Sequence, residues 1–409
     1  MKIGIYGGSF NPPHLGHVLA AQDCRRQLGL DRVLVIPASI PPHKQLSGGS
    51  PEALQRLELT KLAFEALDGF SVLDLELRRE GKSYTVDTVR QLRTQYPDDT
   101  LYLMMGTDMF LSFQDWYCPA EIARMAELVC FSRYAADSRD RAALEQQART
   151  LAKMFGKAPV LLRNECFEIS STQVRRLLFF GIAEPYVPQA VLQRIAALRL
   201  YGTGGSYREL PFAHLREVSL SLHKTSRIAH AEGVWQTAKE MAARFGADEE
   251  LAARAGVLHD VTKALPGVQQ LALAEKLCVP LTEFERNNPQ LLHAKTGAAV
   301  ARAIFGECEA VCEAICWHTT GKPGMTTLEK IIYLADMIEP NRSYPGVEAI
   351  RAEAGRDLDA AVLLALERTI AYLQEEGFAV CEDSVCARDF LLMERNKTQH
   401  ESEKSSRPL

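Results

Sequence analysis

The sequence predicts an α/β sandwich unit followed by an all-α unit. Three observations carry this. The chain has 409 residues, more than one compact core holds. Its first half alternates short apolar runs with segments of helical period, the signature of strand–helix–strand units and a parallel sheet. Beyond about residue 212 the strand pattern stops, and the chain becomes rich in Ala and Leu with helical periodicity.

In order, residues 2–6 and 32–36 are short buried strands. The helix between them, 15–29, ends on Gly29, a residue that closes helices in the left-handed conformation. Residues 53–67, 85–96, 120–125, 172–181 and 188–198 follow as helices, and 70–75, 101–105, 128–133 and 160–163 as strands. The run Tyr201-Gly202-Thr203-Gly204-Gly205-Ser206 concentrates turn residues, which places a domain boundary there: one domain over 1–202, a linker over 203–214 and a second domain over 215–390. Helices in the second domain are expected over 231–245, 249–260, 267–277, 294–305, 307–317 and 326–338. Residues 391–409 read as a disordered polar tail.

A composition of 47% hydrophobic and 24% charged residues is that of a globular protein, and a net charge of −5 gives no pull toward nucleic acid or an anionic membrane. No apolar run is long enough to span a bilayer, and the N-terminus enters a strand pattern directly, without a signal peptide, so a cytoplasmic location is expected. The ten cysteines contain no Cys-x-x-Cys pair, and Cys308, Cys312 and Cys316 read as a core-facing helical stripe. The ten histidines divide into an early group (His14, His17, His43) and a later one running from His214 through His318, with His400 in the tail. That division points to two sites of different chemistry.

In Gly7-Gly8-Ser9-Phe10-Asn11-Pro12-Pro13-His14-Leu15-Gly16-His17 the glycines allow a tight turn and close backbone approach to a ligand, and the prolines lead into a helix. His14 and His17 then share the helix's N-terminal end, where an anion is favoured. There is no Gly-Lys-Ser/Thr, and the glycine spacing is not that of a dinucleotide fingerprint. The segment resembles the (H/T)xGH signature of the nucleotidyltransferase superfamily and, more narrowly, bacterial nicotinate-nucleotide adenylyltransferases, which make deamido-NAD and pyrophosphate from ATP and nicotinate mononucleotide.

That resemblance extends through Pro41-Pro42-His43-Lys44, Tyr84-Thr85-Val86-Asp87-Thr88, Met105-Gly106-Thr107-Asp108, Trp116 and Ile169-Ser170-Ser171-Thr172-Gln173-Val174-Arg175. It implies a Rossmann-like parallel-sheet fold. It also implies catalytic roles for His14, His17, Lys44 and Arg175, and ATP contacts from Gly7, Gly8, Ser9, Phe10, Gly106, Asp108, Ser170, Ser171 and Thr172. Tyr84, Thr85 and Trp116 would bind the acceptor, with the indole stacked on the pyridine ring. Mg²⁺ would bridge the phosphates without a dedicated protein cage. Nicotinamide mononucleotide and phosphopantetheine stay open as other acceptors.

In the helical half, His230, the pair His259-Asp260, His293, His318 and Asp336 have the composition of a metal-ligand set, and imidazole with carboxylate suits Fe, Mn or Zn. A bound metal would lower the pKa of a water that attacks phosphorus. This is the pattern of HD phosphohydrolases. The surrounding sequence, including Arg227-Ile228-Ala229-His230, His259-Asp260-Val261-Thr262-Lys263, His318-Thr319-Thr320-Gly321 and Ala335-Asp336-Met337-Ile338-Glu339-Pro340-Asn341-Arg342, resembles the HD-type symmetrical bis(5′-nucleosyl)-tetraphosphatases, which split diadenosine tetraphosphate into two ADP. By that resemblance His230, His259, Asp260 and Asp336 hold a first metal, with iron (Fe²⁺/Fe³⁺) favoured and Mn²⁺ or another divalent ion open. His293 and His318 would help hold a second metal or contact phosphate, and Arg227, Lys263, Thr319 and Arg342 would bind phosphate. A different nucleotide phosphohydrolase, a nucleotide-sensing module and a homodimer all stay open.

Overall fold

The computed structural model describes residues 1–41, 46, 48–131, 138–163 and 167–405. The chain divides into two compact units, Met1–Gly205 and Ser206–Leu409. The expected linker is shorter than 203–214, because helix already resumes at Phe212. Among the described residues no helix is long and apolar enough to cross a membrane.

The first unit runs β1 (Lys2–Gly8), α1 (Leu15–Leu28), β2 (Arg32–Pro37), α2 (Ala53–Phe64), β3 (Phe70–Val72), α3 (Thr85–Gln95), β4 (Thr100–Gly106), α4 (Thr107–Leu111), α5 (Pro119–Met125), β5 (Glu127–Phe131), α6 (Ser138–Phe155), β6 (Val160–Leu161), α7 (Ser171–Phe180) and α8 (Gln189–Ala197). The strands form one parallel sheet in the order β3-β2-β1-β4-β5-β6. A sheet covered on both faces needs apolar residues at successive positions, and Val33, Leu34, Val35 and Ile36 of β2 are all buried. Ile3 and Ile5 of β1 pack in one cluster with Val86, Val89 and Leu92 of α3 and Leu101 and Leu103 of β4. The direction of winding reverses between β1 and β4, and such a switch point opens a crevice beyond the carboxyl ends of the strands. Gly7-Gly8 and Gly106 lie at those ends.

The second unit is all helical: α9 (Phe212–Leu222), α10 (Ile228–Phe245), α11 (Glu249–Leu258), α12 (Gly267–Lys276), α13 (Glu283–Asn287), α14 (Leu292–Val300), α15 (Glu309–Trp317), α16 (Thr327–Ile338), α17 (Val347–Ala354), α18 (Leu358–Glu375) and α19 (Glu382–Ser405). Helices α10 and α11 approach closely at Gly256, where an added Cβ would sit 2.7 Å from the Cα of Trp235. Asp248 caps α11 by accepting hydrogen bonds from the N–H groups of Glu250 and Leu251 at 2.8 and 3.0 Å.

Several boundaries differ from expectation. His259 and Asp260 follow α11 instead of lying within it, because the chain tightens into turns there, with Val261 N–H donating to Leu258 O and Lys263 N–H to Asp260 O. Cys308 precedes α15 as an exposed cap residue, so it does not share a buried stripe with Cys312 and Cys316. The polar tail is a correction up to Ser405: residues 391–405 continue α19. Glu, Lys, Arg and Gln are good helix formers, and Ala387 and Leu391 anchor the helix by burial.

Candidate active sites

A cleft of about 420 Å³ opens at the switch point of the sheet. Gly7, Gly8, Ser9, His17, Gly106, Asp108, Ser170, Ser171 and Thr172 line it. A Cβ on Gly7 would meet nothing within 4 Å, so this residue presents bare backbone to open space. At Gly16 the reason for glycine is contact: a Cβ there would lie 2.9 Å from Ile169 and 3.0 Å from the His14 ring.

The two histidines are not equivalent. His14 lies behind the cleft wall, 1% exposed, and His17 lines the cleft. Their rings stack at 3.7 Å. His17 Nδ1 accepts the His14 backbone N–H at 3.3 Å. An N–H only donates, so the neutral His17 ring carries its own proton on Nε2 and can donate from there. Phe10 is not a cleft residue either. It has φ +43° and 1% exposure, and it packs edge-on against Tyr6 and His17, bracing the loop from below.

Ser170 caps α7, accepting from the Gln173 N–H at 3.2 Å, and so turns the free N–H groups of the helix start toward the cleft. Ser171 Oγ donates to Pro12 O at 3.0 Å, and Arg175 donates to Asn11 O at 2.8 Å and Thr172 Oγ1 at 3.1 Å. Arg175 thus ties α7 to the Gly7–His17 loop through Asn11 and also holds the cleft residue Thr172. Burial lowers its pKa. Lys44, like Pro42 and His43, lies outside the described residues.

At the other end of the cleft stand Thr85 and the half-buried Trp116, whose ring packs on Phe113 with centroids 5.3 Å apart. Tyr84, at the N-terminal end of α3 between the lining residues Ser83 and Thr85, is not itself a lining residue and packs on Tyr117 with ring centroids 4.8 Å apart. Two further residues gave no signal in the sequence. Glu76 is buried in the cleft wall. Burial raises its carboxyl pKa, opposed by the Thr88 hydroxyl, which donates to it at 2.7 Å. Arg56 of α2 is 1% exposed and donates to the carbonyls of Ser9, Ala38 and Ser39 at 2.8, 2.7 and 2.8 Å, pinning the loops after β1 and β2 together.

In the second unit all six expected metal ligands converge. His230 comes from α10, His259 and Asp260 follow α11, His293 opens α14, His318 follows α15 and Asp336 lies on α16. Three overlapping groups (His230, His259, Asp260; His259, His318, Asp336; Asp260, His293, His318) each hold their ligand atoms within 4.8 Å of one another. Asp260 bridges two lobes. Its Oδ2 lies 3.4 Å from His259 Nε2 and its Oδ1 lies 3.2 Å from His293 Nε2.

Each ring is set from behind. Nδ1 of His259, His293 and His318 faces the carbonyl of Gly256, Gln290 and Ile315 at 2.7, 2.8 and 2.7 Å, and Nδ1 of His230 faces Glu339 Oε1 at 3.1 Å. An acceptor behind Nδ1 puts the proton there and aims the Nε2 lone pair at the centre. Burial opposes ionisation of Asp260, yet the surrounding His259, His293 and His318 hold its carboxyl well below the usual range. Asp336 is also held down against burial, by His230, His259 and Arg342. Converging imidazoles and carboxylates are the donor set of a divalent metal. Around them Arg227 pairs with Asp260 and Arg342 with Asp336, and Lys263 Nζ lies 2.8 Å from His293 Nε2. Thr319 follows His318, half-buried.

The fold and sites define a nucleotide-binding α/β unit joined to a helical HD metal unit. Residues 5–177 match the cytidylyltransferase-like family and residues 227–341 the HD domain family. A probable nicotinate-nucleotide adenylyltransferase of Exiguobacterium sibiricum is 37% identical over 204 residues, covering 50% of this chain and 100% of that relative. One from Geobacter metallireducens is 37% identical over 213 residues, covering 49% and 98%. The chain belongs to the nicotinate-nucleotide adenylyltransferase family and carries an HD domain in addition. Among solved structures, a predicted HD superfamily hydrolase involved in NAD metabolism from Clostridium acetobutylicum is 33% identical, covering 45% of this chain and 98% of its own, with a TM-score of 0.44. Plasmodium falciparum nicotinic acid mononucleotide adenylyltransferase is 17% identical, covering 50% and 98%, with a TM-score of 0.40.

Proposed function

We propose that the first unit transfers the adenylyl group of ATP to nicotinate mononucleotide, giving deamido-NAD and pyrophosphate, and that the second hydrolyses diadenosine tetraphosphate symmetrically to two ADP. In the first reaction a phosphate oxygen of the acceptor attacks the α-phosphorus. The bond to the β-phosphate breaks, and its electron pair leaves with pyrophosphate. No protein nucleophile is needed, so position and charge stabilisation do the work.

The His17 Nε2–H and the free N–H groups at the start of α7 would receive the phosphate charge. Arg175 and Arg56 hold the loop to which those groups belong. Asp108 would contact the ribose, and the Trp116 indole would take the pyridine ring. Mg²⁺ accompanies the phosphates, and Lys44 remains an expectation.

For the second reaction the observation that carries the reading is Asp260 shared between two sets of aimed imidazoles. Such a centre suits two ions, with His230, His259, Asp260 and Asp336 holding the first, iron by preference or manganese, and His293 and His318 completing the second. A bound ion lowers the pKa of a water and polarises a phosphoryl oxygen. Arg227, Arg342 and Lys263 ring the centre and would exchange their carboxylate and imidazole partners for phosphate oxygens. Thr319 would contribute a hydroxyl. Product analysis tests this reading. Metal-loaded protein given diadenosine tetraphosphate should yield ADP alone, whereas ATP plus AMP would reject the symmetrical cut.

A further inference from the structure

Among the four centre histidines, three lean on backbone carbonyls and His230 alone leans on a carboxylate. That carboxylate, Glu339, is 1% exposed. Its Oε2 accepts from the Asn341 backbone N–H at 2.7 Å and from Asn341 Nδ2 at 2.9 Å, which leaves Oε1 for His230. The segment is held from outside by Arg351, which donates to the carbonyls of Ile338, Glu339 and Arg342 at 2.9, 2.8 and 2.9 Å.

The seat for this carboxylate is made by Gly233. It lies inside α10, where glycine is less favourable than alanine. A Cβ there would come 2.3 Å from Glu339 Oε2, so the helix has space for the carboxylate only because that residue is glycine. Cations stand beside both lobes, Arg227 on Asp260 and Arg342 on Asp336 in the first and Lys263 2.8 Å from His293 Nε2 in the second, so the carboxylate behind His230 is what sets the first apart.

We propose that Glu339, seated by Gly233, is the positioning residue of His230 and makes the two lobes unequal, with the His230–His259–Asp260–Asp336 lobe holding its ion tightly and the Asp260–His293–His318 lobe holding one weakly. A carboxylate behind an imidazole fixes the ring and strengthens its donor nitrogen more than a carbonyl does. This rests on the two-lobed metal reading and not on the choice of nucleotide substrate.

The test is titration of metal-stripped, full-length protein with Mn²⁺ under anaerobic conditions, following free Mn²⁺ by its electron paramagnetic resonance. The wild type should bind two ions in classes at least about tenfold apart, and Glu339→Gln should weaken the tight class about 10- to 100-fold while leaving the weak class unchanged. Gly233→Ala, which keeps the carboxylate but displaces it, should do the same. Circular dichroism reports whether each metal-free variant is folded. If either variant is unfolded, the other and the wild-type curve still decide. Two equal classes in the wild type, or variants that weaken both classes alike or neither, would overturn the inference. A wild type that binds no Mn²⁺ would instead overturn the metal reading beneath it.

Discussion

Replacing Arg56 with Met would keep most of the apolar stem of a side chain that is 1% exposed and remove its charge. Two effects oppose each other. The buried guanidinium has no carboxylate partner among the described residues, and burial lowers its pKa, so its removal relieves a desolvation cost. Against this, three carbonyls lose a charged donor, and an unsatisfied buried acceptor costs about 1–3 kcal/mol. The bonds to Ser9 O and Ser39 O are part-buried, and water can replace them; the bond to Ala38 O is buried, and water cannot. The net expectation is a loss of about 2 kcal/mol, which for a unit of about 200 residues lowers its melting temperature by about 4–8 °C. Ser9 also lines the nucleotide cleft, so releasing its carbonyl should raise KM for ATP about tenfold, equivalent to about 1.4 kcal/mol of binding. Calorimetry, with the transition of this unit marked by its shift on adding ATP, and steady-state pyrophosphate release measure both quantities. An Arg56→Met protein with an unshifted ATP-sensitive transition and an unchanged KM for ATP would refute the reasoning.

Other predictions concern single contacts. His17→Ala should lower the rate of adenylyl transfer about 10²- to 10³-fold with little change in stability, as expected for one lost donor at a charged transition state, and single-turnover kinetics would show it. Trp116→Ala should raise KM for nicotinate mononucleotide by about an order of magnitude, equivalent to about 1–2 kcal/mol of lost aromatic contact, and leave KM for ATP unchanged; equal effects on both would remove the stacking assignment. His223, buried with Nδ1 2.8 Å from Ser219 O, has its pKa lowered from 6.5 to about 4 by burial. A group held neutral in this way stabilises the fold fully above the unfolded value and loses that contribution as pH falls from about 6.5 toward 4, at about 1.4 kcal/mol per pH unit. Denaturant melts across that range should therefore flatten in His223→Gln, and an unaltered slope would count against the buried neutral ring.

Strands β1, β2, β4 and β5 are readable because both faces of the sheet are covered, which forces unbroken apolar runs such as Val33–Ile36. Strands β3 and β6 have 3 and 2 residues, fewer than the runs around them suggest, because apolarity does not mark where hydrogen bonding stops. The expected metal ligands are readable as a set, because a lone His in helical sequence is usually a core residue whereas six His and Asp positions in this order within one helical domain are not readily explained that way. Their backing is not, because Glu339 becomes informative only when α10 brings His230 beside it. Arg56 and Glu76 are similarly silent, as a charged residue within an amphipathic helix or a polar loop reads as solvent-facing. The (H/T)xGH spacing is visible, but the inequality of its histidines depends on the His14 ring fitting beside Gly16, a contact of packing and not of sequence order.

The central claim is that one chain carries two separate phosphorus chemistries, and a crossed experiment tests it most directly. His17→Ala and Asp260→Asn proteins would each be assayed for pyrophosphate release from ATP with nicotinate mononucleotide and for ADP release from diadenosine tetraphosphate. The first variant should lose transfer and keep hydrolysis, and the second should keep transfer and lose hydrolysis. If either variant lost both activities or kept both, the assignment of one chemistry to each unit would be contradicted.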